Sequence, residues 1–95
     1  MAAYIVVDVV VKDPVRYDDY RKRVMATLEP HGGKFLVRGG KVETLEGTWK
    51  PQRFVVLEFP DAAAARAWWS SEAYAEPKAI RQSASHTEMI LVEGV

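Results

Sequence analysis

The chain has 95 residues, 48% of them hydrophobic, which is enough for one domain (1–95) with a real core and too little for two. Thirteen basic and thirteen acidic side chains cancel, so no net field steers the protein onto nucleic acid or an anionic membrane, and neither partner is expected. Without cysteine it has no disulfide and no thiolate metal site, a composition that fits the cytoplasm, and no apolar run is long enough to span a bilayer.

Tyr4 to Val11 is rich in β-branched residues and reads as a buried strand. It lacks a basic start, contains Asp8 and has no small-residue cleavage site after it, so it does not read as a signal segment. Asp13 then supplies a helix cap and Pro14 suits the first turn. Tyr17, Tyr20, Val24 and Leu28 recur on one helical face, and Gly32-Gly33 ends the helix. Gly39-Gly40 predicts a tight hairpin turn that folds Phe35–Arg38 back onto Lys41–Glu46. Beyond Pro51, Arg53 to Phe59 forms an inner-type strand that stops at Pro60. Asp61 caps a short helix with Ala62, Ala65 and Trp68 inward, and Ser71 starts another carrying Tyr74, Ile80 and Arg81, with Pro77 resetting it locally. Thr87 to Val92 is the last strand. The order is the ferredoxin-like βαββαβ pattern, an α+β fold with an antiparallel sheet.

Side chains alternate between the two faces of a sheet, so parity separates a covered face from an open one. Ile5, Val7, Val9 and Val11 form a wholly apolar face suited to lie under helices, while Tyr4, Val6, Asp8 and Val10 point away. Matching parities puts Leu36 with Arg38, Phe54 and Val56 with Glu58, and Ile90 and Val92 with Glu88 on that second face. It is too apolar for water, which predicts a homodimer with two sheets facing each other as a dimeric α+β barrel.

Several of these residues carry a resemblance. Gly32-Gly33, Phe35-Leu36-Val37-Arg38-Gly39-Gly40, Glu46-Gly47-Thr48-Trp49, Pro51-Gln52-Arg53 and Glu58-Phe59-Pro60, followed by Ala65, Trp68, Ser71, Tyr74 and Arg81, resemble domain-of-unknown-function family 1330. That family lies within the dimeric α+β barrel superfamily, and Trp69 departs from its more usual Tyr. The resemblance implies the fold and a homodimer. It transfers no agreed activity, because superfamily relatives include cofactor-free monooxygenases, lactone isomerases and haem-dependent enzymes.

Arg38 and Glu58 are the leading candidates, expected as a pair on one apolar sheet face, where charge is costly unless paired. They read either as a structural ion pair fixing dimer register or as a ligand-facing pair. Arg53, of different parity, reads as a lock on the Glu46-Gly47 turn or as an anion-binding group. His31 at the end of the first helix is a capping residue or a general acid/base. Trp49 in a polar loop either packs across the dimer seam or lids a pocket, and Asp8, Tyr20 and Tyr74 complete the ligand-facing candidates. Trp68, Trp69 and Tyr74 read as core. Two histidines without paired spacing give no metal signature, and no cofactor is expected. Two functions fit. One is a cofactor-independent enzyme acting on a small organic acid, lactone or aromatic metabolite, in which Arg38 holds an anionic oxygen and Glu58 moves a proton. The other is a non-catalytic small-ligand-binding or stress-associated homodimer in which the same charges only specify assembly.

Overall fold

The computed structural model describes residues 1–95 as β1 (Ala3–Val11), α1 (Pro14–Leu28), a 3-10 turn (Glu29–His31), β2 (Lys34–Arg38), β3 (Arg53–Phe59), α2 (Ala62–Trp69), α3 (Glu72–Ala84) and β4 (Ser85–Glu93). Each helix starts where a side-chain oxygen meets its otherwise unpaired amides. Asp13 Oδ1 accepts from the Arg16 amide at 3.1 Å, Asp61 Oδ1 from Ala64 at 2.8 Å, and Ser71 Oγ from Tyr74 at 3.3 Å. Pro77 does not reset α3, which runs unbroken from Glu72 to Ala84 with that proline buried on its inner side.

The four strands form one antiparallel sheet in the order β2-β3-β1-β4, the ferredoxin-like α+β arrangement. Ile5, Val7 and Val9 of β1, with Val55, Leu57 and Phe59 of β3, are buried under the helices. Tyr17, Tyr20, Val24 and Leu28 of α1, Trp68 of α2, and Tyr74 and Ile80 of α3 close over them from the other side. No helix is long and apolar enough to cross a membrane.

The tight Gly39-Gly40 hairpin does not form. A two-residue turn of the expected kind needs positive φ at both central residues, and only Gly39 has it, at 72°. The Gly39 amide instead donates to the Phe54 carbonyl at 2.9 Å, so β2 pairs with β3 and residues 39–52 make a long connection without strand structure. Within that connection Thr44 Oγ1 donates to the Trp49 carbonyl at 2.7 Å.

The register also shifts between Phe35 and Val37, where β2 carries a bulge at Leu36. Lys34 and Val37 lie opposite Glu58 and Val56, but Phe35 and Arg38 lie opposite Leu57 and Val55, whose side chains are buried under the helices. The extra residue therefore moves Arg38 to the helix side of the sheet. On the far side, Val37, Val56, Val6 and Ile90 are in register as one apolar row across all four strands. Ile90 is 61% exposed there.

Candidate functional site

A narrow cleft runs between the sheet and the helix layer, floored by Val7, Val9, Val55 and Leu57 and roofed by residues of α1, α2 and α3. Its cavity is only about 20 Å³, room for little more than one water-sized group. Arg21, Arg38, Arg53 and Arg81 line it, and no Asp, Glu or His does. Arg21 pairs outward with Asp18 at 3.7 Å, so the site is an apolar slot in which Arg38, Arg53 and Arg81 have no carboxylate partner.

Each arginine reaches the slot for a different structural reason. Arg38 arrives through the β2 bulge, stacks its guanidinium 4.3 Å from the centre of the Phe35 ring, and donates from Nη2 to the Arg21 carbonyl at 3.0 Å. Arg53 opens β3 opposite Val9 and lies 5.6 Å from the Tyr17 ring centre. A Cβ on Gly39 would overlap its Nη1, so that glycine gives Arg53 its place as well as the chain its turn. Arg53 Nε is buried without a hydrogen-bond partner, a donor that a bound acceptor would satisfy. Arg81 occupies the inner stripe of α3, is 5% exposed, and donates from Nε to Tyr74 Oη at 3.3 Å.

Tyr74 connects Arg81 to α1. Its hydroxyl lies 2.9 Å from Tyr20 Oη, both phenols are buried, and its ring stacks on Trp68 with centroids 4.0 Å apart. Trp68 Nε1 in turn donates to Thr27 Oγ1 at 3.0 Å, which anchors the roof through a hydroxyl bonded to the Val24 carbonyl. Burial, with the Tyr74 phenol beside it, holds the Tyr20 hydroxyl well above its ordinary pKa of 10.0. At neutral pH Tyr20 is therefore a hydrogen-bonding phenol and not a base.

The sequence model of the family described as Domain of unknown function (DUF1330) matches residues 2–95. The chain belongs to that family. Among curated proteins none matches it. Among solved structures, it is similar to a protein of unknown function from Rhodopseudomonas palustris, with 19% identity over 99% of this chain and 82% of that one and a TM-score of 0.81. SnoaB, a cofactor-independent oxygenase from Streptomyces nogalater, superposes with a TM-score of 0.68 at 17% identity, covering 99% of this chain and 93% of SnoaB. A dimeric ferredoxin-like protein of unknown function from Jannaschia sp. gives 0.67 at 14% identity, covering 99% and 100% of the two chains. At these identities the likeness is one of fold.

The DUF1330 chain brings Arg38, Arg53 and Tyr20 together in the slot, keeps Tyr74 behind it on the Tyr20 hydroxyl, and leaves the other sequence-derived candidates outside. Glu58 does not pair with Arg38. The bulge puts the two on opposite faces, and Glu58 instead meets Lys34 Nζ at 3.0 Å on the far side. Arg53 does not lock the Glu46-Gly47 turn, because its parity sends it under the sheet toward Tyr17. His31 ends the 3-10 turn and lines none of the cleft. Asp8 and Trp49 meet on the far face, where Trp49 Nε1 donates to Asp8 Oδ2 at 3.0 Å and the indole lies edge-on to Phe54. Trp69 is not core: it is 44% exposed, with Lys78 Nζ 3.8 Å from its ring centre. Arg81, Tyr17 and Arg21 complete the slot and were missing from the candidates. A charged residue seven positions after Tyr74, inside an apolar stripe, was the signal for Arg81.

Proposed function

We propose that this DUF1330 protein holds a small organic anion between its sheet and helices and acts on it without a cofactor, as a homodimer. The observation that carries this reading is the convergence of Arg38, Arg53 and Arg81 on an apolar cleft with no carboxylate in its walls. An unpaired guanidinium out of water is costly, which applies to buried Arg81 and half-buried Arg53, and an anionic ligand offsets that cost while gaining charge-assisted, fork-shaped hydrogen bonds to which the exposed Arg38 can add. The same arrangement favours any step in which negative charge grows on a substrate oxygen, such as an enolate or a carboxylate-stabilised carbanion. With no Asp, Glu or His in its walls and a phenol held neutral at Tyr20, the cleft stabilises such an oxyanion but holds no base, so the proton passes to water or to a basic atom of the substrate itself. The shared fold with a cofactor-independent oxygenase is in keeping with that chemistry.

Two features favour the homodimer. The row Val37, Val56, Val6 and Ile90 would otherwise meet water, and a dimeric protein shares the fold. A second reading, a ligand-binding dimer without turnover, is favoured by the small cavity, which admits a single group and leaves little room for a second reactant. A panel of small carboxylates and their amides, screened by thermal shift and then for oxygen uptake, separates the readings. Carboxylates alone should stabilise the protein, and Arg38→Ala should weaken them by about 1.5 to 3 kcal/mol. Equal stabilisation by the neutral amides would sink both.

A further inference from the structure

A second cavity lies on the other side of Arg81. It is a groove of about 870 Å³ between α2, α3 and β4, open along the edge of β4 away from β1, which no strand pairs. That volume is in the range that takes a drug-sized ligand, whereas the cleft under the sheet admits one small group. Ile5, Ala65 and Met89 give it an apolar stretch, with Trp69 at the rim, among polar residues that include Ser85 and Thr87. Arg81 lines both spaces.

The charge state of that arginine decides what the groove suits. An arginine residue only 5% exposed is expected to have a carboxylate partner, yet Arg81 is in no ion pair and its side chain makes one hydrogen bond, the 3.3 Å contact from Nε to Tyr74 Oη. The carboxylate that shares the groove, Glu88, is an exposed side chain that pairs with His86 at 3.5 Å and not with Arg81. The groove therefore has an unpaired arginine in its lining and an apolar stretch beside it. We infer that this groove is a second binding site, for an acid with an aromatic or alkyl body whose carboxylate meets Arg81 while the body lies along β4 against Met89 and Trp69. A neutral apolar molecule would leave the cation unsatisfied, and a compact acid such as acetate would leave the wall uncovered.

Titrating the isotope-labelled full chain with phenylacetate, and separately with neutral phenylacetamide, tests this by amide NMR. Phenylacetate should give saturable shifts at Ser70, Gln82 and Leu91, which line the groove and not the cleft, and phenylacetamide should bind the same residues at least about tenfold more weakly. Arg81→Met should remove that preference for the acid. Because Arg81 is buried and that variant can lose its fold, Gln82→Trp provides an independent arm: it crowds the groove from its exposed rim, leaves the guanidinium in place, and should abolish binding of both probes. Shifts confined to the Phe35, Arg38 and Arg53 region would overturn the second site while leaving the anion cleft standing. No saturable shift in the groove, as when a second copy of the chain fills it, would overturn it equally, and equal affinity for the two probes would refute the role given to Arg81.

Discussion

Gly39→Ala is the substitution in which fold and site should fail together. The backbone there has φ of 72°, where a side chain costs about 1 to 2 kcal/mol, and the new Cβ would overlap Arg53 Nη1. The guanidinium is the flexible end of its side chain and can retreat, so strain sets most of the stability loss while displacement of Arg53 sets the loss of binding. Gly40 is the control. Its φ is not positive, and an added Cβ would meet nothing closer than a Val37 methyl at 4.0 Å, so Gly40→Ala should be neutral or stabilise by up to about 0.5 kcal/mol. Urea denaturation at fixed protein concentration measures both, with the midpoint falling for Gly39→Ala at unchanged slope. In a thermal melt the same loss corresponds to about 4 to 16 °C for a chain of this size. If Gly39→Ala and Gly40→Ala melt alike, the positive φ and the Arg53 contact are both misplaced, and the position of Arg53 in the cleft goes with them.

Other outcomes follow from single contacts. Val56→Asp puts a charge in the middle of the apolar row on the far face and should leave a monomer in light scattering where the parent gives the proposed dimer, whereas a parent protein already monomeric at micromolar concentration would remove the reason for a second copy. Tyr20 binds its proton more tightly folded than unfolded, so its contribution is fully present below pH 10.0 and is lost as pH rises above that value, by about 1.4 kcal/mol per unit. The difference in stability between the parent and Tyr20→Phe should shrink over that range, and a constant difference would contradict the buried phenol. Glu58→Gln, which breaks only the Lys34 pair on the far face, should cost less than about 1 kcal/mol and leave carboxylate binding unchanged.

What the sequence showed and what it hid divide along physical lines. Local signals read correctly wherever one effect dominates: the caps at Asp13, Asp61 and Ser71, the inward row Ile5, Val7 and Val9, and the stripe Tyr17, Tyr20, Val24 and Leu28 are all as expected. The site residues failed where one residue changes the count. A bulge at Leu36 reverses the face of everything after it in β2, and a strict period of two cannot reveal it, so Arg38 was assigned to the far face and paired with Glu58. Gly39-Gly40 looks like a hairpin turn, but the strand that β2 pairs with lies past residues 39–52, and pairing partners are a tertiary matter. Arg81 was visible as a charge at an inward position of α3, yet its meaning came only from Tyr74 of the same helix, which accepts its Nε–H, and from Tyr20 of α1, whose hydroxyl meets that of Tyr74.

The most direct test of the anion cleft is the Nε–H resonance of Arg53 followed by NMR as acetate is added. Arg53 Nε is buried with no acceptor, so a bound carboxylate should supply one and shift that proton saturably downfield, together with the Arg38 signal. Acetamide should produce no such change, and Tyr17→Ala, which removes the ring beside Arg53, should weaken the response without abolishing it. An Arg53 signal indifferent to acetate, or one that answers acetate and acetamide alike, would contradict the claim that these arginines are there to hold an anion.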